Sequence, residues 1–307
     1  MEKIRNLDFR LNNSAVCIGK FDGIHRGHRL LLAEAKKSGL AAVMFTFAMD
    51  QREMLYSEQE KIQLAERLGF DIFIAIPFDE HFMRQSAEDF VRDILLQHCD
   101  AGRVVVGEDF RFGHRRSGDA ELLLQMGKEY GFETVVRKKM VAGGDVISST
   151  RIRALIREGE LEEANSLLGT PYFISGRVQK GNQLGRKLET PTANISPYAG
   201  KDLPPYGVYA ALVEVDGRQY EGVANLGKKP TVAEEEPVGL EVWMFDYEGN
   251  LYDKEITVYL IAYQREERKF ASLEELKQQI AGDARRAKQT LSLLDKGYLA
   301  RSFRCSD

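Results

Sequence analysis

The sequence has little cysteine and no long apolar stretch. Its 307 residues include three cysteines, Cys17, Cys99 and Cys305, which lie far apart and form no CxxC pair. This spacing predicts no structural zinc site built on cysteines and is typical of a reducing compartment. No run approaches the roughly 18 apolar residues that a transmembrane helix needs. Residues 1–10 contain no apolar core of a secretory signal, so the expected location is the cytoplasm.

Neither sign of charge is in strong excess. The 43 basic and 47 acidic residues give a formal net charge of −4. A general binder of nucleic acid or of membrane surfaces would carry a basic excess, so the sequence predicts neither partner. The balanced total is still compatible with a basic pocket at one site. Neither Walker motif is present, which excludes a P-loop kinase. Nothing in the sequence indicates the oligomeric state.

The chain contains two different patterns, one after the other. Up to about residue 169, apolar runs of strand length alternate with amphipathic helical stretches. This alternation predicts an α/β domain, a Rossmann-like doubly wound parallel sheet with helices on both faces. The predicted strands cover residues 14–19, 41–47, 71–78, 103–110 and 133–138, and the predicted helices cover 27–39, 57–69, 86–98, 119–131 and 148–169, the last with a break near Gly159.

After residue 170 the segments become short and alternate between polar and apolar residues. Glycine, asparagine and aspartate punctuate them, which predicts about six antiparallel strands in a small all-β barrel. A C-terminal helix should begin after Ser272, which has Glu275 in capping-box spacing. We therefore expect two domains, residues 1–170 and 171–307.

A glycine-rich stretch, CIGKFDGIHRGH, covers residues 17–28 at the end of the first predicted strand. Open α/β sheets bind ligands at this end of their strands. Gly23 and Gly27 allow a ligand to approach the backbone, and the start of the following helix offers free N–H groups to a phosphate. His25 and His28, three residues apart, can face one anion. Two other interpretations stay open: a tight turn with a capping histidine, and a zinc pair without an evident third ligand.

Two later stretches also have the composition of binding loops. VVGEDFRFGHRRSGD, residues 105–119, places Phe110 and Phe112 around a bend, where they could form the wall of a site for a flat ring. The alternative is a strand followed by a basic surface loop.

GRVQKGNQLGRKLETPTANI, residues 176–195, contains Gly181 and Gly185 in a flexible loop whose backbone N–H groups could meet phosphate. Thr192 and Asn194 offer oxygen ligands of the kind that Mg²⁺ prefers. The alternative interpretation of PTAN alone is an ordinary turn.

Several motifs carry a resemblance to known families. GKFDGIHRGH resembles the G-x-F-D-G-x-H-x-G-H signature of a nucleotidyltransferase superfamily, and ISSTRIR, residues 147–153, resembles the second motif of that superfamily. Residues 105–119 are similar to the flavin-binding loop of bacterial FAD synthetases. The later segments together resemble riboflavin kinase, a six-stranded antiparallel barrel; they are GVYA (207–210), GVANLGKKPT (222–231), LEVWMFDYEGNLYD (240–253) and REERKF (265–270).

The whole chain thus resembles the bacterial bifunctional riboflavin kinase/FMN adenylyltransferase family. The resemblance implies that riboflavin is phosphorylated by ATP to FMN and that FMN is then adenylated to FAD, with Mg²⁺ accompanying ATP. It implies Glu241 as the catalytic base of the kinase and His25 and His28 as the catalytic histidines of the transferase. The implied binding residues are, for nucleotide, Gly19, Phe21, Asp22, Gly23, Gly27, Ser149, Thr150, Arg151, Arg153, Gly181 and Gly185; for flavin, Asp109, Phe110, Phe112, Arg265 and Phe270; and for metal, Thr192 and Asn194.

One departure from the family pattern lies beside the predicted adenylyltransferase site. The family continues its second strand as F-T-F-x-P-H-P, whereas this chain reads FTFAMDQRE, residues 45–53. This difference favours an alternative, a monofunctional riboflavin kinase with a degenerate first domain. Two further alternatives are a flavin-sensing or nucleic-acid-binding regulator that binds FMN without turnover, and another HxGH-type transferase that acts on a phosphopantetheine or a sugar-alcohol phosphate.

Overall fold

A computed structural model describes residues 1–48, 53–179, 192–228, 238–295 and 297–303. The chain divides into two compact units, Met1–Ser149 together with Phe303, and Thr150–Ser302. The division places the residues that follow Ser149 with the second unit. The domain boundary near residue 170 stays a prediction.

The described part of the first unit contains a six-stranded parallel sheet. Its order is β1-β4-β3-β2-β5-β8, so the chain runs outward from β2 on one side and then resumes on the other. The predicted doubly wound α/β fold is therefore confirmed. The strands are β1 (Glu2–Ile4), β2 (Ser14–Ile18), β3 (Ala41–Ala48), β4 (Ile72–Pro77), β5 (Ala101–Gly107) and β8 (Glu133–Arg137).

Burial explains why these runs form strands at the centre of the sheet. All five residues of β2 are buried, and so are the five residues Ala42–Thr46 of β3. A strand covered on both faces needs apolar side chains on both, which accounts for the continuous rather than alternating pattern. The order of strands reverses between β2 and β5, and this switch point leaves a crevice at the carboxyl ends of both strands.

Helices connect and cover these strands, and local signals define their ends. Helix α2 begins with a complete capping box between Ser57 and Glu60 and ends at Gly69, whose φ of 84° suits glycine. The helices of this unit are α1 (Arg26–Lys36), α2 (Glu58–Leu68), α3 (Glu80–Arg84), α4 (Ala87–Asp89) and α5 (Ala120–Tyr130).

The helix predicted over residues 86–98 differs in kind from the expectation. Only α4 is α-helical, and a π-helix follows at Phe90–His98. Its i→i+5 pattern is seen where the Cys99 N–H donates to the Ile94 carbonyl at 2.9 Å. The wider turn still buries four apolar side chains in the core of the unit: Phe90, Val91, Ile94 and Leu95.

Short elements that the sequence pattern did not predict complete the first unit. They include β1, α3, a 3₁₀ turn at His114–Arg116 and two small hairpins. The hairpins pair β6 (Arg111–Phe112) with β7 (Gly118–Asp119), and β9 (Val141–Ala142) with β10 (Asp145–Val146).

The second unit contains the predicted antiparallel β-structure. In its described residues, six strands follow the order β11-β16-β13-β14-β15-β12. The sheet curls until its two ends meet, where the Gln179 N–H donates to the Asn194 carbonyl at 2.8 Å. The strands are β11 (Phe173–Arg177), β12 (Thr192–Ile195), β13 (Gly207–Val215), β14 (Arg218–Lys228), β15 (Val238–Met244) and β16 (Glu255–Arg265).

In the described residues, four helices belong mostly to this unit. The predicted break near Gly159 is confirmed, because that glycine has a φ of 87° between α6 and α7. The C-terminal helix α8 is capped by Ser272 as expected and packs on β13, β14 and β16. The bounds are α6 (Ser149–Glu158), α7 (Leu161–Leu168), α8 (Leu273–Ser292) and α9 (Tyr298–Ser302).

Among the residues that the structure describes, no helix combines the length and apolar character needed to cross a membrane.

The capping box of α2 gives a direct test of the first unit's stability. Ser57→Ala removes the side-chain acceptor of the Glu60 N–H, so the free energy of unfolding should fall by about 1 kcal/mol. Urea unfolding followed by circular dichroism measures this. In the control Ser292→Ala, the lost hydroxyl donates to a carbonyl near the end of α8, and the expected change is below about 0.5 kcal/mol. Equal effects of the two substitutions would contradict the role of the box.

Candidate active sites

The loop after β2 has an unusual backbone that brings polar groups to the switch point. Phe21, Gly23 and Ile24 have φ values of 47°, 92° and 42°, all in the left-handed region. Such conformations are uncommon outside glycine and are often found at functional sites. At the start of the loop, the Gly19 N–H donates to the Phe45 carbonyl at 3.1 Å, which ties the loop to β3.

Asp22 anchors the middle of this loop. Its buried carboxylate accepts a hydrogen bond from the Leu55 N–H at 3.0 Å, and its carbonyl accepts one from the Ser149 hydroxyl at 2.6 Å. Ser149 is the first residue of α6 and belongs to the second predicted motif. The structure therefore brings the two motifs together at Asp22 and Ser149, although 127 residues separate them.

His25 and His28 lie side by side at the start of α1. His25 is the N-cap residue, and the two rings stack with centroids 3.7 Å apart. Phe21 packs against His28 at 5.1 Å, and a side chain at Gly27 would lie 3.2 Å from the His25 ring. Neither Nδ1 atom has a hydrogen-bond partner among the described residues, so each ring retains an unused polar atom.

Burial keeps this histidine pair neutral. It lowers the pKa of His25 to about 4, with a smaller contribution from the Arg29 charge. Burial also lowers the pKa of His28 well below its ordinary value, helped by His25 and by Lys61. Lys61 is a buried residue of α2 that the motif analysis missed. The pKa of its amine is lowered by burial and raised by the carboxylates of Asp22 and Glu58.

A cavity of about 580 Å³ opens at this edge of the sheet. Gly19 and His28 lie on its wall, together with the predicted flavin residues Asp109, Phe110 and Phe112. The Phe110 and Phe112 rings stack at 5.4 Å, and Asp109 pairs with Lys139 at 2.9 Å. Four further phenylalanines line the cavity and were missed because they come from separate elements: Phe47, Phe78, Phe82 and Phe90.

Basic side chains give this cavity a positive character. Among the described residues, Lys20, Arg111 and Arg116 line it together with one acidic residue, Asp109. An aromatic wall combined with basic groups can hold a flat ring that carries a phosphate. The family's P-H-P positions correspond to residues 49–51, which lie outside the described part of the chain.

The remaining predicted residues of the second motif lie on α6. Thr150, Arg151 and Arg153 belong to its first two turns, within the second unit. There Arg151 pairs with Glu163 at 2.6 Å, and the Arg153 guanidinium lies 4.0 Å from the Asp202 carboxylate.

In the second unit, two predicted residues bond the carboxylate of a third, Glu241. The Thr192 hydroxyl and the Asn194 amide donate to Oε1 of Glu241, at 3.0 and 3.3 Å. The strand register explains this, because Asn194 on β12 lies directly opposite Glu241 on β15. Gly181 and Gly185 lie outside the described residues, so their role as a phosphate loop stays a prediction.

A cavity of about 200 Å³ adjoins Glu241. It lies on the outer face of the barrel sheet, because Val223, Glu241 and Trp243 line it while the alternate residues point into the core. Residues Leu276, Ile280 and Asp283 of α8 line the opposite side.

The predicted flavin residues Arg265 and Phe270 line the same cavity. The Arg265 guanidinium bonds both carboxylate oxygens of the buried Asp283, at 2.7 to 3.1 Å, and lies 5.9 Å from the centre of the Phe270 ring. Arg268 lies over the same ring at 4.8 Å. Asp283 was missed because only the fold brings α8 to the end of β16.

Two family models match successive parts of the chain. A family model described as FAD synthetase matches residues 9–151, and one described as riboflavin kinase matches residues 168–291. A solved structure described as a macrolide-efflux protein from Streptococcus pneumoniae has a TM-score of 0.80 at 29% identity, covering 93% of this chain and 98% of that one.

Curated relatives match along almost the whole chain. The bifunctional riboflavin kinase/FMN adenylyltransferase of Escherichia coli K12 is 40% identical over 292 residues, 90% of this chain and 92% of the relative. The protein of that name from Buchnera aphidicola subsp. Schizaphis graminum is 37% identical over 308 residues, 95% and 98% of the two chains. The chain therefore belongs to the family of bifunctional riboflavin kinase/FMN adenylyltransferases.

Proposed function

We infer that this chain phosphorylates riboflavin with ATP and then adenylates the resulting FMN to FAD, releasing pyrophosphate. The observation that carries this proposal is the presence of two separate polar sites in one family-matched chain. One is the Glu241 cluster of the second unit, and the other is the His25–His28 pair at the switch point of the first. Riboflavin, FMN and ATP are its small-molecule substrates.

In the kinase reaction, Glu241 acts as the general base. It accepts the proton of the ribityl 5′-hydroxyl as that oxygen attacks the γ-phosphorus and ADP leaves. Hydrogen bonds from Thr192 and Asn194 to Oε1 fix the carboxylate. This leaves Oε2 to accept the proton of the substrate. A proton acceptor held in a fixed position beside the reacting hydroxyl lowers the entropic cost of the reaction.

The same cluster fits a divalent cation. The Thr192 hydroxyl oxygen lies 3.0 Å from the Glu241 carboxylate, and the Asn194 amide, whose nitrogen bonds that carboxylate, carries a second neutral oxygen. Mg²⁺ prefers oxygen ligands. When bound, the ion would neutralise charge on the ATP phosphates. Gly181 and Gly185 would supply the phosphate loop, and Arg265 and Phe270 would close the flavin pocket.

In the adenylyltransferase reaction, the FMN phosphate attacks the α-phosphorus of ATP directly. The nucleophile is already an anion, so no base or covalent intermediate is needed. His25 and His28 are neutral and can donate hydrogen bonds to the triphosphate as charge develops on the leaving pyrophosphate. The other contributors to nucleotide binding would be Gly19, Phe21, Asp22, Gly23, Gly27, Ser149, Thr150, Arg151 and Arg153.

The flavin of this second reaction would occupy the phenylalanine-lined cavity of the first unit. Phe110 and Phe112 offer a stacked wall for the isoalloxazine ring, with Asp109 at its edge. The monofunctional alternative is not favoured, because this cavity and the histidine pair are both present and the FAD synthetase model matches residues 9–151.

The first test concerns the kinase base. Glu241→Gln keeps an acceptor for Thr192 and Asn194 but cannot take a proton at neutral pH, so FMN formation should fall by at least about 10²-fold. Chromatography of riboflavin and FMN measures this, and FAD formation from supplied FMN should persist. The control is Glu221→Gln, an exposed glutamate of β14. Unchanged FMN formation by Glu241→Gln would remove Glu241 from the mechanism.

The second test concerns the histidine pair. His28→Ala removes a preorganised donor, so FAD formation from supplied FMN should fall by about 10²- to 10³-fold, with FMN formation from riboflavin intact. His81→Ala, at an exposed histidine of α3, is the matched control. Full FAD formation by His28→Ala would leave the pair with a structural role only.

The third test is the protonation of the pair. Nitrogen-15 NMR of the folded protein should show His25 neutral down to a pKa of about 4, because burial opposes its charge. In urea the same histidine should titrate near its ordinary value of about 6.5. The unfolded state then binds more protons between these values, so the free energy of unfolding should fall as pH drops from about 6.5 to 4. Titration near 6.5 in the folded protein would contradict the burial of the ring.

A further inference from the structure

Asn225 brings an unused acceptor to the kinase cavity. It lies on β14 and lines the cavity beside Glu241. Its Oδ1 atom is buried and has no hydrogen-bond partner among the described residues. A buried amide oxygen without a donor costs free energy, so such an atom beside an open cavity indicates a donor on the ligand.

Glu267 fixes the orientation of this amide. The Asn225 Nδ2 atom donates to Oε1 of Glu267 at 3.0 Å. An ionised carboxylate only accepts hydrogen bonds, so the amide nitrogen must face Glu267 and the oxygen must face away from it. Asn225 therefore presents an acceptor, rather than a donor, as its free group.

Gly227 makes room for Glu267. A Cβ atom at position 227 would collide with the Glu267 carboxylate, whose atoms are the nearest neighbours of that position. The absent side chain allows the carboxylate to lie close to β14, two residues from Asn225. The VANLG and REERKF segments are therefore in contact. Gly227 leaves space for the Glu267 carboxylate, and that carboxylate orients the Asn225 amide.

The register places this acceptor next to the catalytic base. Glu241 on β15 lies opposite Asn194 on one side and opposite Asn225 on the other. Opposite residues of antiparallel strands have Cβ atoms roughly 5 Å apart, so a substrate hydroxyl at Glu241 brings its neighbours within reach of Asn225. The ATP phosphates carry acceptors and no donors at neutral pH, whereas the ribityl chain carries several hydroxyl donors.

We propose that Asn225 binds riboflavin, its Oδ1 accepting a hydrogen bond from a ribityl hydroxyl close to the one that reacts, and that Glu267 is the positioning residue that orients this amide. The proposal rests on the proposed kinase function. Asn225 thereby favours a substrate with a polyhydroxyl chain. It also holds that chain in the position in which its terminal hydroxyl lies beside Glu241.

Steady-state kinetics of four variants test this. Asn225→Ala, Glu267→Ala and Gly227→Ala should each raise the KM for riboflavin roughly 5- to 10-fold, the effect of one lost hydrogen bond, with the KM for ATP within about twofold of wild type. Gly227→Ala retains the Asn225 and Glu267 side chains, but the added methyl group displaces the Glu267 carboxylate. Glu267→Gln keeps an acceptor for Nδ2 but adds a donor that also fits the flipped amide, so its KM for riboflavin should lie between those of wild type and Glu267→Ala.

A double variant separates positioning from a general structural effect. Because Glu267 acts through Asn225, Asn225→Ala/Glu267→Ala should match Asn225→Ala alone. Additive effects of the two substitutions, or an unchanged KM for riboflavin in Asn225→Ala, would overturn the proposal. Should Asn225→Ala not fold, as judged by urea unfolding followed by circular dichroism, the comparison of Glu267→Ala with Glu267→Gln decides.

Riboflavin analogues that each lack one ribityl hydroxyl identify the bonded group. Wild type should discriminate against one of these deoxy analogues by roughly 5- to 10-fold, and Asn225→Ala should lose that discrimination. Equal discrimination by both proteins against every analogue would contradict the proposal. If wild type forms no FMN from riboflavin, the kinase function itself fails; if it does and the variants match it, only the role of Asn225 fails.

Discussion

The register of three neighbouring strands is the constraint on which the proposed kinase site depends. Asn194, Glu241 and Asn225 form one row across β12, β15 and β14. Their chain neighbours point the other way, and Ala224, Leu226, Leu240 and Val242 are fully buried in the core of the unit. A shift of the strand register by one residue would turn the carboxylate inward and expose these side chains. Exposing each large apolar side chain would cost about 1.5–3 kcal/mol of folding free energy. The packing of the core therefore also positions the groups that we propose for the kinase reaction.

The first unit uses a different constraint for a related purpose. The order of its strands reverses at β2, and the loop that follows is tied to β3 and, through Asp22, to the start of α6. Within that loop the stacked rings of His25 and His28 are buried enough to stay neutral. A neutral hydrogen-bond donor needs no carboxylate beside it to balance its charge. It can therefore bond the leaving pyrophosphate and stabilise the negative charge that grows there.

Much of the fold could be predicted from the sequence, and the exceptions have physical causes. Long apolar runs and capping signals predicted the central strands, both ends of α2 and the start of α8. The π-helix at Phe90–His98 was not predicted because its buried positions, including Phe90 and Ile94, also fit an α-helical face. The hairpins formed by β6 and β7 and by β9 and β10 have two residues in each strand, too few for any period to show.

The candidate sites divide in the same way. Motifs identified Glu241, Thr192, Asn194 and the two histidines, but the convergence on Glu241 joins residues 47 and 49 positions apart and needs the register of the barrel. The phenylalanine-lined cavity and the Asn225–Glu267 pair likewise come from separate elements, where no local pattern marks a partner. The phosphate loop at Gly181 and Gly185 and the domain boundary near residue 170 stay predictions.

The central claim is that one chain carries out two different transfers of phosphorus. Incubation with riboflavin and ATP labelled with ³²P at either the γ or the α position tests it most directly. Among the flavin products, we expect γ-label in both FMN and FAD, because FAD retains the FMN phosphate, and α-label only in FAD. Label in FMN from γ-labelled ATP, with none in FAD from α-labelled ATP, would contradict it.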